Sequence, residues 1–134
     1  MSVSVELQTL IYDALVADAG VGALIGDRIF DGRPEAAQFP CVTFGPSDHV
    51  EDDSECIAGR VETVQLDCWS RDQGRMRPCK VLADAVKRAL HGANLSMAIN
   101  ALVQIRVDGV RVFMDSDGVT AHGVVTVAAD IEEA

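Results

Sequence analysis

The chain has 134 residues, 49% of them hydrophobic, with a formal net charge of −10. That length suits one domain, spanning residues 1–134, and that apolar fraction excludes a disordered chain. No apolar run approaches the ~20 residues of a membrane-spanning helix, and a strongly acidic balance argues against general binding to nucleic acid or to an anionic membrane surface.

The first element expected is a helix. Leu7, Leu10, Ile11, Ala14 and Leu15 form one apolar stripe at helical spacing. Ser4 is the expected N-cap, Glu6 sits in the first turn, and Gly20 is the expected stop. VGALIGDRIFDG then reads as a short turn of helix followed by a docked loop. The start MSVSVELQTL lacks the basic and apolar regions of a secretory leader, so synthesis in the cytoplasm is the expectation.

Phe39-Pro40 leads into CVTFG, a run of β-formers that predicts a strand with Pro40 at its first position. A mobile acidic loop is expected over about 46–57, where Asp48, Glu51, Asp52, Asp53 and Glu55 crowd together. VETVQLDCW, Val61 to Trp69, predicts the second strand. Val64, Leu66 and Cys68 form its core face, with Trp69 on the opposite face at the strand's end.

A second helix is expected to start between Gly74 and Pro78 and to stop at Gly92. Its stripe is Cys79, Leu82, Ala85, Val86, Ala89 and Leu90. The segment from Arg71 to Arg88 carries six basic side chains against two acidic ones. The remainder is therefore more acidic than the whole. Such separation suits either a basic face that meets an acidic face on another copy or partner, or two solvated surfaces.

ALVQIRVDGVRVFM changes hydrophobic phase at Asp108-Gly109, which marks either a bulge or a tight turn. The bulge is favoured, leaving DSDG, Asp115 to Gly118, as the turn into the last strand. Val125, Val127, Ala129 and Ile131 are that strand's inward face. The expected fold is α+β, in the order α-β-β-α-β-β. A four-stranded, mainly antiparallel sheet carries both helices on one face.

No catalytic signature emerges. The chain has no G-x-S-x-G, P-loop or H-E-x-x-H motif, and the glycines of GVGALIG follow a helix instead of a strand. Cys41, Cys56, Cys68 and Cys79 include no closely spaced pair, which sets aside a zinc site and favours buried thiols. Asp52-Asp53 lacks the alternating ligands of a calcium loop. No catalytic residue, cofactor or metal is expected. The candidate residues are an interface set: Trp69, Arg71, Asp72, Arg75 and Arg77 at the strand-to-helix joint, with Asp48, Glu51, Asp52, Asp53 and Glu55 in the acidic stretch. An indole flanked by arginines is the composition of an interface centre.

Four landmarks in order carry a family resemblance: DRIFDG (Asp27 to Gly32), FPCVTFG (Phe39 to Gly45), LDCWSRDQG (Leu66 to Gly74) and DSDGVTAHGVV (Asp115 to Val125). With them the chain resembles the tail-completion, or tail-terminator, proteins of long-tailed bacteriophages and phage-derived particles, nearly end to end. It departs from them at Pro78, which the resemblance expects to shorten the second helix, and at Cys41, where an aromatic is expected. The resemblance implies a virion structural protein that forms a ring, typically of six subunits. That ring caps the tail tube at its head-proximal end, ends its elongation and joins it to the head connector. The implied partners are further copies of the chain, the major tail tube protein, a connector or stopper protein, and double-stranded DNA passing through without specific binding. The alternatives are a head-completion or connector ring of the same particle, a generic dimeric binding module, and a small cytoplasmic α+β ligand-binding domain or enzyme.

Overall fold

In the computed structural model, which describes residues 2–134, helix α1 (Val3–Ala17) opens the chain. Its N-cap is Ser2, whose side chain accepts from Val5 N, and not Ser4, which lies inside the first turn. Asp18 ends α1 and caps the next helix by accepting from Val21 N at 2.9 Å. That helix, α2 (Ala19–Ile25), turns away by 81°. Gly20 therefore lies within a helix, and the left-handed residue that ends the segment is Gly26, with φ of 59°. The expectation of two helices is corrected to three: Asp18, a strong cap, restarts what Gly20 was expected to stop.

β1 (Ile29–Phe30) pairs in parallel with the start of β2 (Cys41–Glu51). β2 forms a long antiparallel hairpin with β3 (Gly59–Arg71). α3 (Arg77–Leu90) follows, with Pro78 in its first turn, the position where a proline is tolerated. β4 (Ala101–Met114) and β5 (Thr120–Glu132) form a second hairpin, and β5 lies beside β3. The sheet order is β1-β2-β3-β5-β4. The sheet thus has five strands and is mixed, where four mainly antiparallel strands were expected. β1 is two residues long and has no periodicity to read in sequence.

All three helices contribute to one core, built on a single face of the sheet. Val64, Leu66 and Cys68 of β3 and Val125, Val127, Ala129 and Ile131 of β5 bury there, as the alternation predicts. α3 lies directly across β3, β5 and β4, and packs against α1 and α2. α3 comes close to the sheet at Gly123, where an added Cβ would stand 3.1 Å from Cys79 Sγ of the helix and 3.3 Å from Cys68 Cβ of β3. The register of β4 shifts between Val107 and Gly109, which is the bulge expected at Asp108-Gly109. Asp115 N and Gly118 N bond Thr120 O and Asp115 O, closing the DSDG turn.

The acidic stretch is more regular than expected. Residues 46–51 belong to β2, and a register shift at Gly45-Pro46 absorbs the proline. The remaining turn is hydrogen-bonded: Ser54 and Ile57 exchange backbone bonds of 3.0 and 2.9 Å, and Cys56 takes a left-handed φ of 60°. The hairpin here extends past the helices, so both of its faces meet solvent and the side chains need not alternate.

Candidate functional site

The face of the sheet turned away from the helices carries the candidate site. Trp69 stands on it at the end of β3, on the side opposite the core, as its place in the alternation predicts. Its indole lies on the imidazole of His122, the residue directly across on β5, and its Nε1 donates to Thr43 Oγ1 at 3.0 Å. His122 Nε2 lies 2.6 Å from Asp67 Oδ1, which also accepts from Gln65 Nε2 at 2.9 Å. Phe113 of β4 closes the row, its ring centroid 4.8 Å from that of His122. Three adjacent strands thus present one continuous aromatic and polar strip.

Arginines border the strip. Arg71 stands 4.4 Å over Phe39, Arg111 stands 4.8 Å over Phe113, and Arg33 lies within 6 Å of both Phe39 and Trp69. These are cation–π distances, and they hold the guanidinium groups against ring faces at the protein surface. Arg71 Nε also donates to Thr120 Oγ1 at 2.9 Å, and its Nη2 is 3.9 Å from Asp117 Oδ2. The Thr120 hydroxyl and the backbone amides of Thr120 and Val119 bond the Asp117 carboxylate and lower its pKa to about 2.

The other residues of the joint follow closely. Asp72 and Arg75 form an exposed ion pair at 3.5 Å, and Arg77 is the first residue of α3. The turn between them packs beside the DSDG turn, with Gly74 against Gly118 O. Trp69, Arg71, Asp72, Arg75 and Arg77 therefore cluster at one end of the sheet. Asp48, Glu51, Asp52, Asp53 and Glu55 cluster at the far end of the β2–β3 hairpin. Asp48 pairs with Thr63 and Glu51 with Arg60, so the length of β3 separates the two groups by roughly 20 to 40 Å at ~3.3 Å per residue. One pair of strands carries an acidic tip at one end and an arginine-rich joint at the other.

Arg33, Phe39, Thr43, Asp67, Arg111, Phe113 and His122 join the strip without having been singled out in sequence. His122 faces outward in the alternation of β5, which is a usable signal. Its position opposite Trp69 depends on a register that the sequence does not display.

What this surface can do is bind. The His122–Asp67 pair is largely covered, with the Trp69 indole stacked on the imidazole, and among the described residues no hydroxyl or thiol is hydrogen-bonded to His122. Among the described residues no group of three or more His, Cys, Asp or Glu is arranged to hold a metal ion, and no helix is long and apolar enough to cross a membrane. The fold and this face define a class, an α+β domain with a charged and aromatic sheet surface.

The comparisons with known proteins make that class specific. The model of the family described as "Tail completion protein gp17" matches residues 9–132, and the chain belongs to that family. Among solved structures, 18 chains match. One, from the virion of a native gene transfer agent particle, is 25% identical, covers 98% of both chains and superposes with a TM-score of 0.89. No curated protein matches the chain. The protein is a structural component of a phage-type tail particle and not an enzyme.

Proposed function

We propose that the protein forms a ring, six copies in the arrangement the resemblance implies. The ring caps the finished tail tube at the neck, ends its elongation and joins it to the head connector. The carrying observation is the placement of opposite charge at opposite ends of the β2–β3 hairpin. A subunit built this way offers a neighbour an acidic end and a basic end at once, and repetition of that head-to-tail contact closes a ring where the rotation allows. Trp69, Arg71, Asp72, Arg75 and Arg77 form one side of the contact. Asp48, Glu51, Asp52, Asp53 and Glu55 form the other. A net charge of −10 per chain makes the ring strongly negative, so that DNA crossing its lumen is repelled by the wall and slides without specific binding.

The test is assembly. Trp69→Ala and Arg71→Glu are expected to abolish annular particles in electron micrographs and to leave tails unjoined to heads, while the isolated chain keeps its fold. Wild-type rings and normal joining in both variants would overturn the assignment of this surface.

A further inference from the structure

Arg33 is an exposed arginine held in place by rings. Its guanidinium lies 5.3 Å from the centroid of Phe39 and 5.9 Å from that of Trp69, and among the described residues it has no ion pair. It borders a cleft of about 500 Å3 between Gly32, Phe44, Trp69, Arg71 and the Asp115–Thr120 turn. Both carboxylates on that turn are engaged locally. Asp117 accepts from Thr120 and Val119, and Asp115 Oδ1 accepts from Ser116 N at 2.9 Å. The cleft therefore presents an uncommitted cation above an aromatic floor.

The complementary object lies on the same chain. At the tip of the hairpin, Asp53 Oδ1 is tied to Gly59 N at 3.0 Å, whereas Asp52 and Glu55 have no ion pair among the described residues. Beside these carboxylates Ile57 is 44% exposed and Val50 is 68% exposed. Apolar side chains at the tip of a projecting turn gain by burial against an apolar wall, and carboxylates gain by meeting a guanidinium. The tip does not reach its own cleft, because the full length of β3 stands between them. The occupant that fits is a second copy of this chain.

We propose that the cleft of Arg33, Trp69 and Arg71 receives the 52–57 turn of the neighbouring subunit, with the Glu55 carboxylate on the Arg33 guanidinium and Ile57 against the aromatic floor. This rests on the ring reading and assigns its contact to named atoms. It makes Arg33, outside the joint itself, a residue that determines which surface the acidic tip accepts.

Cys56 supplies the test, since it is exposed at the tip while Cys41, Cys68 and Cys79 are buried. Ser116→Cys places a second thiol on the exposed rim of the cleft. Assembled particles carrying Ser116→Cys and oxidised with diamide are expected to give a ladder of cross-linked subunits on a denaturing gel. Wild-type particles, and those carrying both Ser116→Cys and Cys56→Ser, should give none. In parallel, Arg33→Glu is expected to lower assembly by at least about tenfold and the added Glu55→Arg to restore it. The melting temperature of the isolated chain should be unchanged by either substitution. Normal rings that give no ladder and tolerate Arg33→Glu would overturn the cleft assignment while leaving the ring reading intact. The absence of any annular assembly of the wild-type chain in particles would overturn both.

Discussion

The indole of Trp69 lies nearly parallel to the imidazole of His122, with ring centroids 3.9 Å apart and an interplanar angle of 14°. The two residues are direct cross-strand partners on β3 and β5, and aromatic cross-strand pairs of this kind stabilise a sheet locally. His122→Ala removes the stack and also takes away the group bonded to Asp67. The expected cost is about 1–2 kcal/mol, read as a lower urea midpoint with Trp69 fluorescence as the probe.

Arg60 bonds Glu62 Oε1 at 3.1 Å and Glu133 Oε1 at 2.9 Å. Glu62 is only 1% exposed, so its carboxylate depends on this partner. Arg60→Met leaves that carboxylate buried and unpaired, with an expected loss of about 3 kcal/mol. The double variant Arg60→Met, Glu62→Leu should recover most of it. Chemical denaturation of the three proteins checks both statements.

Acid should loosen two specific attachments. Burial opposes ionisation of Glu6, but hydrogen bonds from Asn100 and Ile99 outweigh it and hold the pKa below the ordinary 4.5. The bonds from Thr120 and Val119 do the same for Asp117, from 3.8 to about 2. A group with a depressed folded-state pKa adds stability above its unfolded value and loses it as pH falls through the folded one. Melting temperature is therefore expected to fall as pH drops from about 4.5 towards 2. Glu6→Gln and Asp117→Asn should each flatten that slope and be less stable at neutral pH.

Thiol chemistry should separate the four cysteines. Burial raises the Cys41 pKa, raises that of Cys68 strongly, and pushes Cys79 up to about 11, while Cys56 stands exposed at the hairpin tip. The thiolate is the reactive form. Iodoacetamide at pH 8 should modify Cys56 alone in the native chain and all four in urea, as read by intact mass.

Deleting residues 48–55 should separate folding from attachment. Asp48 to Glu51 pair only with β3, at the sheet's free edge, Ser54 bonds Ile57 within the turn, and none of the eight residues belongs to the core cluster. The shortened chain should melt cooperatively and keep the fluorescence of Trp69, while tails made with it fail to join heads. Normal joining would remove the tip from the proposed contact.

Legibility in the sequence followed burial. β3, β5 and α3 each have one covered face, so their apolar residues repeat at the strand or helix period and reveal which way each side chain points. The same covering made the bulge at Asp108-Gly109 readable, because the hydrophobic phase must change there. β2 beyond Pro46 has no covered face, so nothing in DHVE signals a strand. The α1–α2 junction misled because Gly20 resembles a stop while Asp18 acts as a new start. Within the site, Trp69 and Arg71 were visible as an unusual composition at a joint. The stack on His122 and the placement of Arg33 over Phe39 required the register between distant strands and the path of an irregular loop.

A hairpin with unlike ends has a direction. In an annulus closed by such contacts, every subunit points the same way around the circle, and no twofold axis lies in the plane. The upper and lower rims are then chemically different surfaces, so one is free to match the tube and the other to match the neck. In the proposed ring, a growing tail bound to one rim would meet on the far side a surface of different chemistry, which is how elongation would end.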